Sequence, residues 1–167
     1  MTQPLVVVSS GSGNTRIIAH AVADAAGTHI MTPAELPEDL SPFNPVSLCF
    51  WCAGGDLPPD LKAVMPRFKD KKIACFCTMG SDPGTGHAKA WMRMICEAAV
   101  GTDRGNTLEA TFLCRGRIDE KRFAHMTELG EGEMIKEREA RRTLSETHPD
   151  RLDVLNAQEL YLKTFGA

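Results

Sequence analysis

The segment Ser9-Ser10-Gly11-Ser12-Gly13-Asn14-Thr15 places up to four hydroxyls, those of Ser9, Ser10, Ser12 and Thr15, in one short stretch of chain. Hydroxyls and glycine N–H groups at that density suit the holding of an anion, and a phosphate above all. Before it runs the apolar, β-branched Leu5-Val6-Val7-Val8; after it Ile17-Ile18-Ala19 resumes an apolar pattern at helical spacing. The stretch therefore reads as a loop between a strand and a helix. A triphosphate loop would need Lys beside Ser or Thr, but Arg16 follows Asn14-Thr15. Arg16 also stands where the dinucleotide fingerprint would place a third Gly or an Ala. Hydroxyls without a lysine fit one phosphate monoester.

Two further loops follow apolar runs and carry glycine. One is Phe50-Trp51-Cys52-Ala53-Gly54-Gly55-Asp56; the other is Thr78-Met79-Gly80-Ser81-Asp82-Pro83-Gly84. Glycine lets backbone approach a flat ligand closely. In an open parallel sheet, loops at the carboxyl ends of strands converge on one crevice. His87, near the start of a helix, is placed either to hydrogen-bond a ligand or to face solvent. Arg115 and Arg117, at the end of the last strand, are placed either to hold an acidic substrate or to pair with nearby carboxylates.

These loops require a scaffold, and the chain predicts one. Strand-like runs recur at Leu5–Ser10, Val46–Trp51, Lys72–Thr78 and Thr111–Arg115, with a shorter one at His29–Thr32. Helical patterns lie between them at Thr15–Ala26, Pro59–Phe68 and Gly86–Val100. Near-continuous apolar strands alternating with helices predict an α/β fold with a parallel sheet covered on both faces. Five such strands suit the doubly wound order 2-1-3-4-5. Met31–Pro45 holds four prolines and little periodicity, so its crossover helix should be short or absent. From Asp119 onward the chain is highly charged and helix-prone, over Asp119–Leu129, Glu133–Thr147 and Arg151–Phe165. Solvated helices clamped on the sheet are expected there.

At 167 residues a single domain over 1–167 is expected, with a core over about 1–118 and a helical extension over about 119–167. The 19 basic and 22 acidic residues leave a net charge of −3, and no basic stretch alternates with aromatics, which argues against nucleic acid as a partner. Apolar runs too short to cross a bilayer and the lack of a leader pattern predict a cytoplasmic protein without a membrane partner. The six cysteines fit a reducing compartment. Cys49, Cys75, Cys77 and Cys114 fall in apolar runs and read as core thiols. Cys49-x-x-Cys52 has redox or zinc spacing, but an odd separation on a strand points the two thiols to opposite faces.

The pattern Ser10-x-Ser12-Gly13-Asn14-Thr15 resembles the FMN phosphate loop of flavodoxins. With Phe50-Trp51, Ala74-Cys75-Phe76-Cys77-Thr78-Met79-Gly80 and Phe112-Leu113-Cys114-Arg115-Gly116-Arg117-Ile118-Asp119, the first 118 or so residues resemble a short bacterial flavodoxin subgroup. Some members of that subgroup accompany bilin-reducing enzymes. The resemblance implies a flavodoxin-like three-layer sandwich with FMN as cofactor. It implies that Ser10, Gly11, Ser12, Gly13, Asn14 and Thr15 hold the phosphate. Trp51 would stack on or edge the ring, with Cys52, Ala53 and Gly54 in backbone contact. Thr78, Met79, Gly80, Ser81 and Asp82 would line its other side. The pattern departs from ordinary flavodoxins, which carry an acidic rim and a ring-stacking tyrosine in the later loop; here the only tyrosine is Tyr161. Weaker acidity implies a less extreme low potential. The implied function is an electron carrier between redox partner proteins, as a monomer or weak dimer. The alternatives are an FMN-dependent NAD(P)H oxidoreductase acting on a quinone, flavin or bilin-type acceptor, and a phosphate-loop binding protein without flavin.

Overall fold

The computed structural model describes residues 1–52, 54–128 and 130–166, apart from the Met126 side chain. The expected Ala53 contact therefore lies outside the described residues. Five parallel strands form one sheet: β1 (Gln3–Val8), β2 (Ile30–Met31), β3 (Phe43–Trp51), β4 (Lys72–Met79) and β5 (Thr107–Arg115). Their order is β2-β1-β3-β4-β5, as the strand–helix alternation predicts.

Alternation along the central strands sends side chains to two separate cores. On one face, Val7, Leu48, Phe50, Ile73 and Cys75 pack with Leu61 of α2 (Pro59–Val64) and with Met92, Ile95 and Cys96 of α3 (Gly86–Val100). On the other, Val6, Val8, Cys49, Ala74 and Phe76 pack with Ile18, Ala19 and Val22 of α1 (Asn14–Ala26) and with Ala157 and Tyr161 of α6 (Arg151–Phe165). Cys49 thus enters one core, while Cys52 packs against the other, which removes the Cys49-x-x-Cys52 spacing as a shared site. Tyr161 is buried, its ring 5.5 Å from that of Phe165.

Several boundaries differ from the sequence reading for local reasons. α2 stops at Val64 and passes into a 3-10 turn over Met65–Arg67, because Pro66 has no N–H to continue the α-helical ladder. β3 begins at Phe43 rather than Val46. Its register against β1 shifts between the Gln3–Phe43 and Leu5–Val46 pairs, and this irregularity takes up Pro45. β5 begins at Thr107 because it is an edge strand whose first residues alternate between exposed and half-buried, so they lack the continuous apolar run of an inner strand. Between β2 and β3 the only helix is the 3-10 turn Pro33–Glu35, where Glu35 Oε2 accepts from Thr32 N at 2.7 Å and from Thr32 Oγ1 at 2.8 Å.

The charged C-terminal stretch does two different jobs. α6 completes the second core layer against α1. α4 (Glu120–Glu128) and α5 (Glu133–Ser145) pair with each other at the carboxyl end of β5. The Ile118 N–H donates to Ser145 Oγ at 3.1 Å and the Arg117 N–H to the His148 carbonyl at 3.0 Å. These bonds fix α5 close to the loop that leaves the sheet.

Candidate functional site

β1 ends at Val8 and α1 begins at Asn14, so the loop between them turns sharply at Gly13, whose φ of 97° is one that side-chain-bearing residues rarely adopt. Gly13 is the N-cap residue of α1, and no side chain caps this end of the helix. The N–H groups of the first turn lack partners within the helix, and the positive end of its dipole meets the loop. An oxyanion is what such an end accepts.

Thr15, in that first turn, is 1% exposed, and its Oγ1 lies 2.9 Å from Thr78 Oγ1 at the end of β4. Asn14 Nδ2 donates to Ser12 Oγ at 3.1 Å and to the Arg117 carbonyl at 2.8 Å, tying the first loop to the chain after β5. A Cβ on Gly116 would come within 2.8 Å of that amide, so a side chain there would push the Asn14 amide out of its place. Ser9 does not contribute a hydroxyl to the cleft: it is buried and donates to Asp60 Oδ1 at 2.7 Å.

The loops converge on a cleft of about 680 Å³. Gly11, Ser12, Asn14 and Thr15 line it from the first loop, Trp51, Cys52 and Gly54 from the second, and Thr78, Met79, Gly80 and Ser81 from the third. Ser10 and Gly13 stand within the loop itself, where the Gly13 N–H donates to Ser10 Oγ at 3.2 Å. Asp82 lines an adjoining cavity and pairs with Arg115 at 3.5 Å, so this arginine has a carboxylate neighbour. His87 lines the same adjoining cavity, and Arg117 lines the cleft.

The structure adds walls that sequence reasoning missed. Trp91 of α3 lines the cleft and sits 3.5 Å from where a Cβ on Gly55 would be. Trp51 sits against the first loop, with its indole 3.9 Å from a Cβ built on Gly11. Two indoles and Met79 thus form apolar walls beside a row of anion donors. Arg122 of α4 lies over the Trp51 ring at 5.6 Å, within cation–π range, and Arg141 of α5 reaches the cleft as well. With Arg117 these make three guanidiniums against the single carboxylate of Asp119 among the described lining residues. The helical pattern of the C-terminal stretch signals exposure, but nothing in it signals which helix returns to the cleft.

Burial pushes the Cys49, Cys77 and Cys114 thiols well up, and Cys75 rises first through its hydrogen bond with Cys96 and then through burial, which leaves these four neutral. Cys96, hydrogen-bonded by both Cys75 and Cys77, is shifted down to about 5 but is fully buried. Cys52 is half-buried in the cleft and is also shifted up, chiefly by burial. Access decides the labelling: the other five thiols, Cys96 included, are buried, so iodoacetamide should label the native protein once, at Cys52. The reaction should be slow at neutral pH and faster as the pH is raised through the thiol's elevated pKa. Intact-mass analysis checks this; labelling of more than one of the six cysteines before denaturation would contradict it.

Over 162 residues the chain is 28% identical to a flavodoxin-like domain-containing protein, BilS, of Clostridioides difficile (strain CD3), covering 92% of this chain and 90% of that one. Its fold is similar to that of flavodoxin 2 from Bacillus cereus, with a TM-score of 0.57, 16% identity and 96% of each chain covered. An azoreductase from Bacillus anthracis shares it too, with a TM-score of 0.58 at 13% identity over 98% of this chain and 100% of that one. The flavodoxin of Megasphaera elsdenii aligns with a TM-score of 0.51 at 21% identity over 86% and 99%. The model of the flavodoxin domain matches residues 5–161, and with loops converging at the carboxyl ends of a 2-1-3-4-5 sheet, this chain belongs to the flavodoxin domain family.

Proposed function

We propose that the chain binds FMN in this cleft and carries electrons between larger redox proteins. One observation carries the reading: the uncapped amino end of α1, with Ser12, Asn14 and Thr15, opens into the same cleft as Trp51 and Trp91. Anion donors at one end and flat apolar walls at the other match a phosphate joined to a planar ring system. Family membership supports a flavin in particular. The donor set fits one monoester phosphate, since α1 brings no lysine to the loop.

FMN supplies the one- and two-electron chemistry when bound. The residues do the rest. Ser12, Asn14, Thr15 and the first-turn N–H groups would hold the phosphate. Trp51, Met79 and Trp91 would exclude water from the ring. Arg117, Arg122 and Arg141 favour added negative charge in the cleft, which supports a less extreme low potential than an acidic rim would give.

A reductase using NAD(P)H is the second reading, favoured by the cavity that adjoins the cleft. Reconstitution with FMN followed by steady-state NAD(P)H oxidation separates the two. A stoichiometric yellow complex that oxidises NAD(P)H only when a partner enzyme is added is the expected result. Turnover with the purified protein alone would favour the reductase. A colourless protein after reconstitution would remove both.

A further inference from the structure

The adjoining cavity, of about 690 Å³, shares Met79, Ser81, Trp91 and Arg141 with the cleft. Its other walls come from the first turn of α3, the end of β5 and the face of α5 that carries Glu137 and Leu144. Spaces of this size accommodate small organic molecules.

Arg115 indicates the chemistry of the occupant. Its side chain is only 13% exposed, and a guanidinium carries five N–H donors. Among the described residues its partner is Asp82 Oδ1 at 3.5 Å, too far for a good hydrogen bond. That same oxygen already accepts the Gly84 N–H at 2.9 Å. A mostly buried cation with donors to spare is stabilised by an anion that can reach it. Arg141 adds a second guanidinium from α5, and no hydrogen bond, ion pair or ring contact engages it among the described residues.

Beyond Ser81, Thr85 and His87, the uncharged part of the lining is apolar. Trp91 is half-buried and Leu144 is 63% exposed on α5, and both line the cavity. Asp82 and Glu137 set the charge of the occupant. Two carboxylates against two guanidiniums tolerate one extra negative charge far better than two.

We propose that this cavity binds a small aromatic carboxylate, its carboxylate on Arg115 and Arg141 and its ring against Trp91 and Leu144. Binding does not depend on the flavin. Only its role rests on the reading above, under which the occupant would be a small electron donor or acceptor held beside the cofactor.

Calorimetric titration of 2-naphthoate, which is redox-inert, tests the site on both the apo protein and the FMN-loaded protein. One-to-one binding is expected, with neutral 2-naphthamide at least about tenfold weaker. Arg141→Gln, an exposed position on α5, should weaken naphthoate about tenfold, and Arg115→Gln at least as much. Glu137→Gln should strengthen it by removing a repelling charge. No binding at millimolar naphthoate, equal affinity for the amide, or an unchanged affinity in Arg141→Gln would each overturn the proposal. Naphthoate binding without FMN binding would support this site and sink the flavin reading; FMN binding without naphthoate binding would do the reverse.

Discussion

Thr15→Val is expected to weaken FMN binding about 10- to 100-fold, the range for losing a hydrogen bond to a charged group. Valine keeps the volume of threonine but removes the hydroxyl. Thr15 is 1% exposed in the first turn of α1, so its hydroxyl is held out of bulk water. Its Oγ1 is already positioned by Thr78 Oγ1 at 2.9 Å, which leaves little ordering entropy to be lost when an anion arrives. The substitution also leaves the buried Thr78 hydroxyl short of a partner, at about 1–2 kcal/mol of stability. Quenching of flavin fluorescence on titration gives the affinity, and urea unfolding gives the stability. An affinity within about twofold of wild type would show that this hydroxyl does not face the phosphate.

Asn106→Ala is expected to do the opposite: to cost about 2–4 kcal/mol of stability while leaving FMN affinity unchanged. Asn106 is 2% exposed. Its Oδ1 accepts the Lys71 N–H at 2.9 Å, and its Nδ2 donates to the Phe68 carbonyl at 2.9 Å and the Val100 carbonyl at 2.8 Å. One side chain therefore ties the end of α3 and the chain entering β4 to the chain entering β5. Alanine strands the Lys71 N–H and the Phe68 carbonyl; the Val100 carbonyl keeps Arg104 Nη2 at 3.1 Å. All of this lies at the amino ends of β4 and β5, opposite the loops that form the cleft. Chemical denaturation reads the loss. A variant as stable as wild type, or one that folds fully but no longer binds FMN, would contradict this account.

The two residues also show what kind of information each level holds. Thr15 is legible in the sequence because its task is local: a hydroxyl in the first turn of a helix after a glycine-bearing loop, with strand and helix periods on either side. The same holds for β1, the inner part of β3, β4, α1 and α3, whose apolar patterns repeat within a few residues, and for the two glycine loops after β3 and β4. Parallel strands joined by helices then admit few arrangements, so the sheet order follows from local patterns as well. Asn106 looks like an ordinary turn residue after Gly105. Its three bonds reach backbone 35, 38 and 6 positions away, and no local pattern records them.

The cleft divides along the same line. The sequence by itself determined that the hydroxyl- and glycine-bearing loop after β1, Trp51 and the Thr78–Ser81 wall meet at one cleft, because each sits where a strand ends and chain direction must change. Only the tertiary structure decided that Trp91, Arg122 and Arg141 complete the site, and that Ser9 turns away to Asp60. α4 and α5 are too charged to bury a wide apolar stripe, so their sequence announces solvent on most sides. What brings them over the cleft is a few long-range bonds, from Ile118 to Ser145 and from Arg117 to His148. Periodicity reports which face of an element is buried; it carries no record of which distant element lies against that face, and the charge of this cleft is set by two such distant helices.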